Sequence, residues 1–438
     1  MARYGVGPVD TALAAAVSDI QLTFEESCKL EEMLPLSTGV FPYAALAVAV
    51  QRRQRADDDV HLAVALRRLG DRLASVGRYR EALAAGEEAV ELCRQLVTAN
   101  PEAHTPDLAR ALHNLGIRLD DVGRRREALA AAEEAVELYR QLVTANPEAL
   151  AAALSNLGAQ LGEVGRYREA LAAGEEAVEL CRQLVTANPE AHTPDLAGAL
   201  HNLGIRLDDV GRRREALAAA EEAVELYRQL VTANPEAHTP ALARALQSFG
   251  AQLGYVGQRR EALAAAEEAV ELCRQLVTAN PEAHTPALAR ALQSFGIQLG
   301  EVRQRREALA AAEEAVELCR QLVTANPEAH TPDLARALQS FGAQLGEVRQ
   351  RREALAAGEE AVELCRQLVT ANPEAHTPDL AGALQSLGFR LLDVGQRGEA
   401  LAVVEEAVGL FARLYADLPE AYVDELATSQ HLRDLLTP

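Results

Sequence analysis

Apolar residues at Leu108, Leu112, Leu115, Leu119 and Val122 follow a 4-3-4-3 spacing, which lays a single apolar stripe along a helix. Thr105-Pro106-Asp107 reads as its start: a capping hydroxyl, a proline at the first helical position and a carboxylate at the positive end of the dipole. Gly123 ends it, and a second helix is predicted from about Arg125 to Thr144. Ala128, Ala132, Ala135, Tyr139 and Leu142, flanked by Leu129, Val136 and Val143, give that helix a broader apolar face, as a helix with a neighbour on each side requires. Asn146-Pro147 stops it, because the residue before proline is pushed out of the α region. The product is a helical hairpin that cannot bury its own apolar faces.

The hairpin recurs. Its glutamate falls at Glu81, Glu127, Glu169, Glu215, Glu261, Glu307, Glu353 and Glu399, in steps of 46, 42, 46, 46, 46, 46 and 46 residues. Leu69-Gly70, Leu115-Gly116, Leu157-Gly158, Leu203-Gly204, Phe249-Gly250, Phe295-Gly296, Phe341-Gly342 and Leu387-Gly388 keep the same steps. Two markers with one period mean eight tandem repeats, enough to bury each other's faces by stacking. Residues 77–149 reappear as 165–237 with one change, Arg110 to Gly198, the mark of a duplicated two-repeat unit. Repeat 3 lacks four residues after Ala149, where a tighter loop is expected.

Counted from Ala109 as position 1, Leu112 stands at 4, Leu115-Gly116 at 7–8, Leu119 at 11, Ala128 at 20, Ala132 at 24 and Ala135 at 27. This pattern resembles the tetratricopeptide repeat (TPR) through eight copies covering about residues 57–416. The family's proline at position 32 is replaced by Arg140, and the proline waits until Pro147, so the second helix, helix B, is longer than standard. The long period and the HNLG of repeats 2 and 4 are similar to the kinesin-light-chain type and to actinobacterial TPR arrays. The resemblance implies an all-α fold: a right-handed α-solenoid of eight TPR helical hairpins with N- and C-terminal capping helices. Residues 57–417 form the array, 1–56 an N-terminal helical segment and 418–438 a C-terminal capping helix. Within 1–56, Asp10-Thr11 is expected to cap a helix running to about Met33, and Pro35–Gly39 to form a loop. Phe41–Ala56 reads as a helix of the B type, either a cap or a separate docking segment.

The 43 basic and 65 acidic residues leave a net charge of −22, which argues against a nucleic-acid partner and favours a neutral or basic one. No apolar run is long enough for a membrane span, and the N-terminus is a poor signal peptide, so the reading is a cytoplasmic protein without membrane contact. Cys93, Cys181, Cys273, Cys319 and Cys365 share one repeat position with Tyr139, Tyr227 and Phe411, which makes it a packing site. The repeated histidines, such as His104 and His238, are expected in polar linkers ahead of the Thr-Pro caps, too far apart to share a metal.

The resemblance implies that the first helix of each repeat, helix A, lines a concave groove with positions 2, 5, 9, 12 and 13. Position 2 holds Arg110, Arg244, Arg290 and Arg336, and position 5 holds His113, Gln247, Gln293 and Gln339. Such a row suits carboxylates and peptide amides and is the candidate peptide-binding groove. Gly254, Gly300 and Gly346 at position 12 either clear space for a bound backbone or thin a helix end. Arg303 and Arg349 replace the terminating glycine, so those hairpins are either strained or turn differently. Arginines at the hairpin turns, Arg124–Arg126 and their counterparts, either pair with acids across the turn or form a basic ridge. Nearly every His, Cys or acid of the array that could be nominated recurs at its repeat position, whereas a catalytic centre needs unlike groups converging once. The expectation is therefore a non-enzymatic scaffold, with no catalytic residues, metal or cofactor, that binds a protein or peptide. The alternative is a structural self-association module, and a homo-oligomer is allowed under either.

Overall fold

The computed structural model describes residues 8–20, 22–32, 42–54, 56, 58–142 and 146–437, and these form twenty α-helices with no strand among them. The loop expected at Pro35–Gly39 lies outside the described residues. Three helices precede the array: α1 (Pro8–Asp19), α2 (Phe24–Glu32) and α3 (Pro42–Gln54). Eight A/B pairs follow: α4 (Asp59–Ser75) with α5 (Tyr79–Ala99), α6 (Pro101–Asp121) with α7 (Arg125–Gln141), α8 (Pro147–Glu163) with α9 (Tyr167–Ala187), and α10 (Pro189–Asp209) with α11 (Arg213–Ala233). The series continues with α12 (Pro235–Tyr255) and α13 (Arg259–Ala279), α14 (Pro281–Glu301) and α15 (Arg305–Ala325), α16 (Pro327–Glu347) and α17 (Arg351–Ala371), and α18 (Pro373–Asp393) and α19 (Arg397–Asp417). A lone A-type helix, α20 (Pro419–Leu436), closes it. This is an all-α solenoid of packed hairpins. It divides into two compact units, one up to Gln160 with Glu169–Leu203, the other Leu161–Arg168 with Gly204 onward.

The A helices that carry a Thr-Pro pair start earlier than the sequence pattern predicts. Pro101, not Pro106, is the first residue of α6, and Thr105 and Pro106 lie inside the helix. Asn100 does the capping. Its backbone N–H donates to Leu96 O at 2.9 Å, ending α5, while its side-chain oxygen accepts from the Ala103 N–H at 3.4 Å, starting α6. One asparagine thus serves as C-cap and N-cap at once, and Asn188, Asn234, Asn280 and Asn326 repeat the same side-chain bond at 3.3 Å. Thr105 turns its hydroxyl back to Pro101 O at 2.6 Å instead of capping. The histidines ahead of the Thr-Pro pairs therefore sit in the first turn of a helix, not in a linker. The same reason corrects repeat 3. Its four missing residues shorten helix A from 21 to 17 residues, about one turn, and Leu150 keeps its buried place.

Within each unit the core is periodic. The position-4 leucines Leu66, Leu112, Leu154, Leu200, Leu246, Leu292, Leu338 and Leu384 are the largest fully buried side chains of the array. Helix A meets helix B closely at the position-8 glycines. A Cβ on Gly250 would stand 3.2 Å from Ala262 O, and at Gly116, Gly296 and Gly342 the same contact to the partner helix backbone would be 3.3 Å. Cys93, Cys181, Cys273, Cys319 and Cys365 are buried at the shared position, as are Tyr139, Tyr227 and Phe411. Burial pushes the thiols up, to about 11 at Cys93, Cys181 and Cys273 and to about 12 at Cys319 and Cys365.

Successive B helices are tied by one recurrent ion pair: Arg94 to Glu134 at 2.8 Å, Arg228 to Glu268 at 2.7 Å, Arg274 to Glu314 at 2.9 Å, Arg320 to Glu360 at 2.8 Å and Arg366 to Glu406 at 2.9 Å. Each is half exposed and contributes under about 1 kcal/mol, so these pairs fix register more than they stabilise. Arg53 of α3 reaches Glu88 at 3.0 Å in the same manner, which places α3 as a B-type helix ahead of repeat 1. The single helix expected from Asp10 to Met33 is two. Thr23 and Glu26 exchange bonds as a capping box, Glu26 Oε2 accepting from Thr23 N–H at 2.9 Å and Thr23 Oγ1 accepting from Glu26 N–H at 3.2 Å. Gln51 of α3 holds the break, donating to Ile20 O at 2.6 Å and accepting from Leu22 N–H at 3.1 Å.

Arg303 and Arg349 resolve the choice between strain and a different turn: both have φ of 64°, in the region that Gly257 and Gly395 occupy at 84° and 81°. The turn is kept and the arginines carry the strain.

Candidate functional site: the open face of the A helices

Positions 2, 5, 9, 12 and 13 share one face of helix A because they are three or four residues apart. On that face Arg110, Arg244, Arg290 and Arg336 are all exposed. Their surroundings differ. Arg110 lies 3.8 Å from Asp107 and Arg336 lies 3.3 Å from Asp333, each three residues earlier on the same helix. Ala241 and Ala287 stand at that place in α12 and α14, so Arg244 and Arg290 have no acid on their own helix turn. No described ion pair involves either of them. Arg110 and His113 belong to the first compact unit; the other six predicted residues belong to the second.

Position 5 lies deeper, in the seam between neighbouring A helices. His113 is half-buried and its imidazole is pushed below the ordinary histidine range by burial. Gln293 is buried, and Gln247, half-buried, donates to Ala243 O at 3.3 Å. Gln339 lines a cavity of about 190 Å³ together with Arg336, Cys365, Pro378, Asp379 and Gly382.

Further along the face the exposed side chains are apolar. Tyr255 is 57% exposed, Ile297 51%, and Phe389 and Leu392 40% each. They occupy positions 13, 9, 9 and 12. The Arg213 guanidinium stands 5.7 Å from the centre of the Tyr255 ring, which leaves the rest of the ring open. Phe389 and Leu392 depart from the repeat, where other copies mostly have Ile or Ala and Asp or Gly, and the row of positions 2 and 5 did not include them. The signal was present, since large apolar residues at outward positions of a helix have no packing role.

The position-12 glycines do not clear space for a ligand. A Cβ on Gly254 would stand 3.3 Å from Gln298 Oε1, one on Gly300 3.5 Å from Gln344 Oε1, and one on Gly346 would collide with the Arg390 guanidinium. Each glycine receives the position-10 side chain of the following repeat. Several arginines of the hairpin turns are paired: Arg124 with Glu127 and, at 3.0 Å, with Glu87; Arg259 with Glu301 at 3.2 Å and Arg305 with Glu347 at 3.3 Å. These acids lie on the arginine's own B helix or on a neighbouring repeat; across its own turn only a 4.0 Å approach, Arg213 to Asp208, is seen among the described pairs.

Among the described residues no group of His, Cys, Asp and Glu is placed to hold a metal ion, and no helix is long and apolar enough to cross a membrane.

Tetratricopeptide-repeat family models match residues 62–101, 108–147 and 149–229. A model of anaphase-promoting complex subunit 5 matches residues 238–280 and 284–325. None of the curated proteins matches the sequence. Among solved structures the chain is similar to BtubC (BKLC) from P. vanneervenii, at 17% identity and a TM-score of 0.44, over 56% of this chain and 90% of that one. It is also similar to a Podosopora anserina putative kinesin light chain with nearly identical TPR-like repeats, at 19% identity and a TM-score of 0.37, over 49% and 96%. A third is the Rap conjugation gene regulator of the plasmid pLS20 in complex with the Phr* peptide, at 14% identity and a TM-score of 0.50, over 83% and 96%. At 14% identity the third shows a likeness of fold, and nothing more is carried over. The sequence matches at residues 62–101, 108–147 and 149–229, together with an A/B helical hairpin that recurs to Asp417, make the chain a tetratricopeptide-repeat protein.

Proposed function

We propose that the chain is a non-catalytic cytoplasmic scaffold that holds a segment of a protein or peptide against the open face of its A helices. The observation that carries this reading is the pair Arg244 and Arg290: two exposed guanidiniums without acids on their helix turns, in a chain of net charge −22. A surplus cation on so acidic a protein attracts carboxylates locally while the rest of the surface repels them. The apolar side chains of Tyr255 and Ile297 on the same two helices supply the contact area that a peptide needs besides its charges. The peptide in the Rap complex is consistent with a solenoid of this fold accommodating one.

The test is affinity capture from a lysate of the source organism, comparing the intact chain with Arg244→Ala/Arg290→Ala/Arg336→Ala after circular dichroism shows equal helicity. A protein retained by the first and lost by the second, and then shown to bind the intact chain directly, supports the reading. Equal retention removes the arginines from it.

A further inference from the structure

The cavity beside Gly382 is one cation short. In repeats 2 and 7 the position-2 arginine folds back on the aspartate three residues before it, as Arg110 does on Asp107 and Arg336 on Asp333. Repeat 8 keeps the aspartate, Asp379, but has Gly382 where the arginine would be. A Cβ built on Gly382 meets nothing within 4 Å. The space left open is the cavity of about 190 Å³ lined by Pro332, Arg336, Gln339, Leu368, Pro378 and Asp379, over Cys365. That is room for several waters, and enough for the end of a long side chain. The lining holds one guanidinium, Arg336, and one carboxylate, Asp379; Arg336 pairs at 3.3 Å with Asp333, which lies outside the lining, and no described ion pair joins it to Asp379. The described polar partner of Asp379 is the His376 ring at 3.4 Å, which is a cation only when protonated.

We propose that this cavity receives an arginine side chain of the bound segment, its guanidinium pairing with Asp379 and its stem lying against Leu368 and Pro378. The incoming group takes the place that the chain's own arginine takes in repeats 2 and 7. A planar fork suits a carboxylate better than an ammonium does, so arginine is favoured over lysine. The partner segment then carries acids for Arg244 and Arg290 and an arginine for repeat 8. This rests on the reading that the A face holds a partner segment, but the cavity is testable without any partner.

The probe is N-acetyl-arginine amide at millimolar concentration, followed by saturation-transfer difference NMR on the full chain. The comparison ligand is N-acetyl-citrulline amide, its uncharged isostere. A saturable signal for the arginine amide, at least fivefold stronger than for citrulline, is expected. Gly382→Arg, which supplies the cation in cis, should cut the signal by at least half; repeat 4 also pairs an aspartate with a glycine, Asp195 with Gly198, and can hold a remainder. Gly382→Ala, whose methyl group enters open space, should leave the signal unchanged and confirms that the site tolerates substitution. Equal signals for the two ligands, or a Gly382→Arg signal equal to that of the unaltered chain, overturns the proposal. Failed capture of a partner would leave these outcomes unaffected, so the two ideas fail separately.

Discussion

Gly254 of α12 and Gln298 of α14 interlock: a Cβ on residue 254 would lie 3.3 Å from Gln298 Oε1. The relation crosses from one repeat to the next and gives the glycine a packing reason in place of a binding one. Gly254→Asp, which installs the side chain that repeats 2 and 4 carry there, should lower stability by about 1–2 kcal/mol, by overpacking. Combined with Gln298→Ala, the loss should shrink. Urea titrations of the two single variants and the double give the coupling, expected at about 0.5–2 kcal/mol. Additive effects would show that the two residues do not touch.

Arg303 and Arg349 hold left-handed backbone where Gly77, Gly123, Gly165, Gly211, Gly257 and Gly395 stand in the other turns. Arg303→Gly should therefore stabilise the chain, by about 1 kcal/mol. Arg349→Gly should do the same, and the two gains should add because the sites lie one repeat apart and share no partner. The check is the shift of the urea midpoint; an unchanged or lower midpoint contradicts the strain.

The six cysteines should divide five to one. Cys93, Cys181, Cys273, Cys319 and Cys365 are buried with thiols pushed up to about 11 or 12, whereas Cys28 is partly exposed on α2. Only the thiolate reacts. A disulfide reagent at neutral pH should modify Cys28 promptly and the others only in denaturant, read as released thiolate by absorbance.

Burial holds the imidazoles of His113, His284 and His330 below their ordinary value of 6.5, so the folded state resists their protonation. Their share of stability is fully present above that value and is lost as the pH falls beneath it. Asp121, Asp208 and Asp209, held up chiefly by burial, act with the opposite sign, but in the carboxylate range at lower pH. The urea midpoint should therefore fall between pH 7.5 and 6. His113→Gln/His284→Gln/His330→Gln should flatten that slope; an equal slope would remove these histidines as its source.

The repeat, the hairpin and the packing role of the cysteines were legible in the sequence, because periodic Leu, Ala and Gly positions report burial directly. Helix starts were not. Asn100-Pro101 and Thr105-Pro106 are both sound start signals, and only tertiary packing, which leaves a single residue between helices, selects the first. The arginine row was legible as a row, but not its division into neutralised and free members. That depends on whether Asp107, Asp333, Ala241 or Ala287 stands one helical turn away, a pairing that the sequence contains and that only the geometry makes evident. The role of Gly254 was out of reach for another reason: its partner is 44 residues on, and no local pattern points to it.

The central claim is that Arg244 and Arg290 select carboxylates on a bound segment, and selection from a random peptide library tests it most directly. Peptides enriched on the intact chain should be rich in Asp and Glu beside apolar residues. The same selection on Arg244→Ala/Arg290→Ala should lose the acids, since each exposed ion pair contributes up to about 1 kcal/mol, or roughly fivefold in affinity. Peptides without acidic enrichment, or the same enrichment on both chains, would contradict the account.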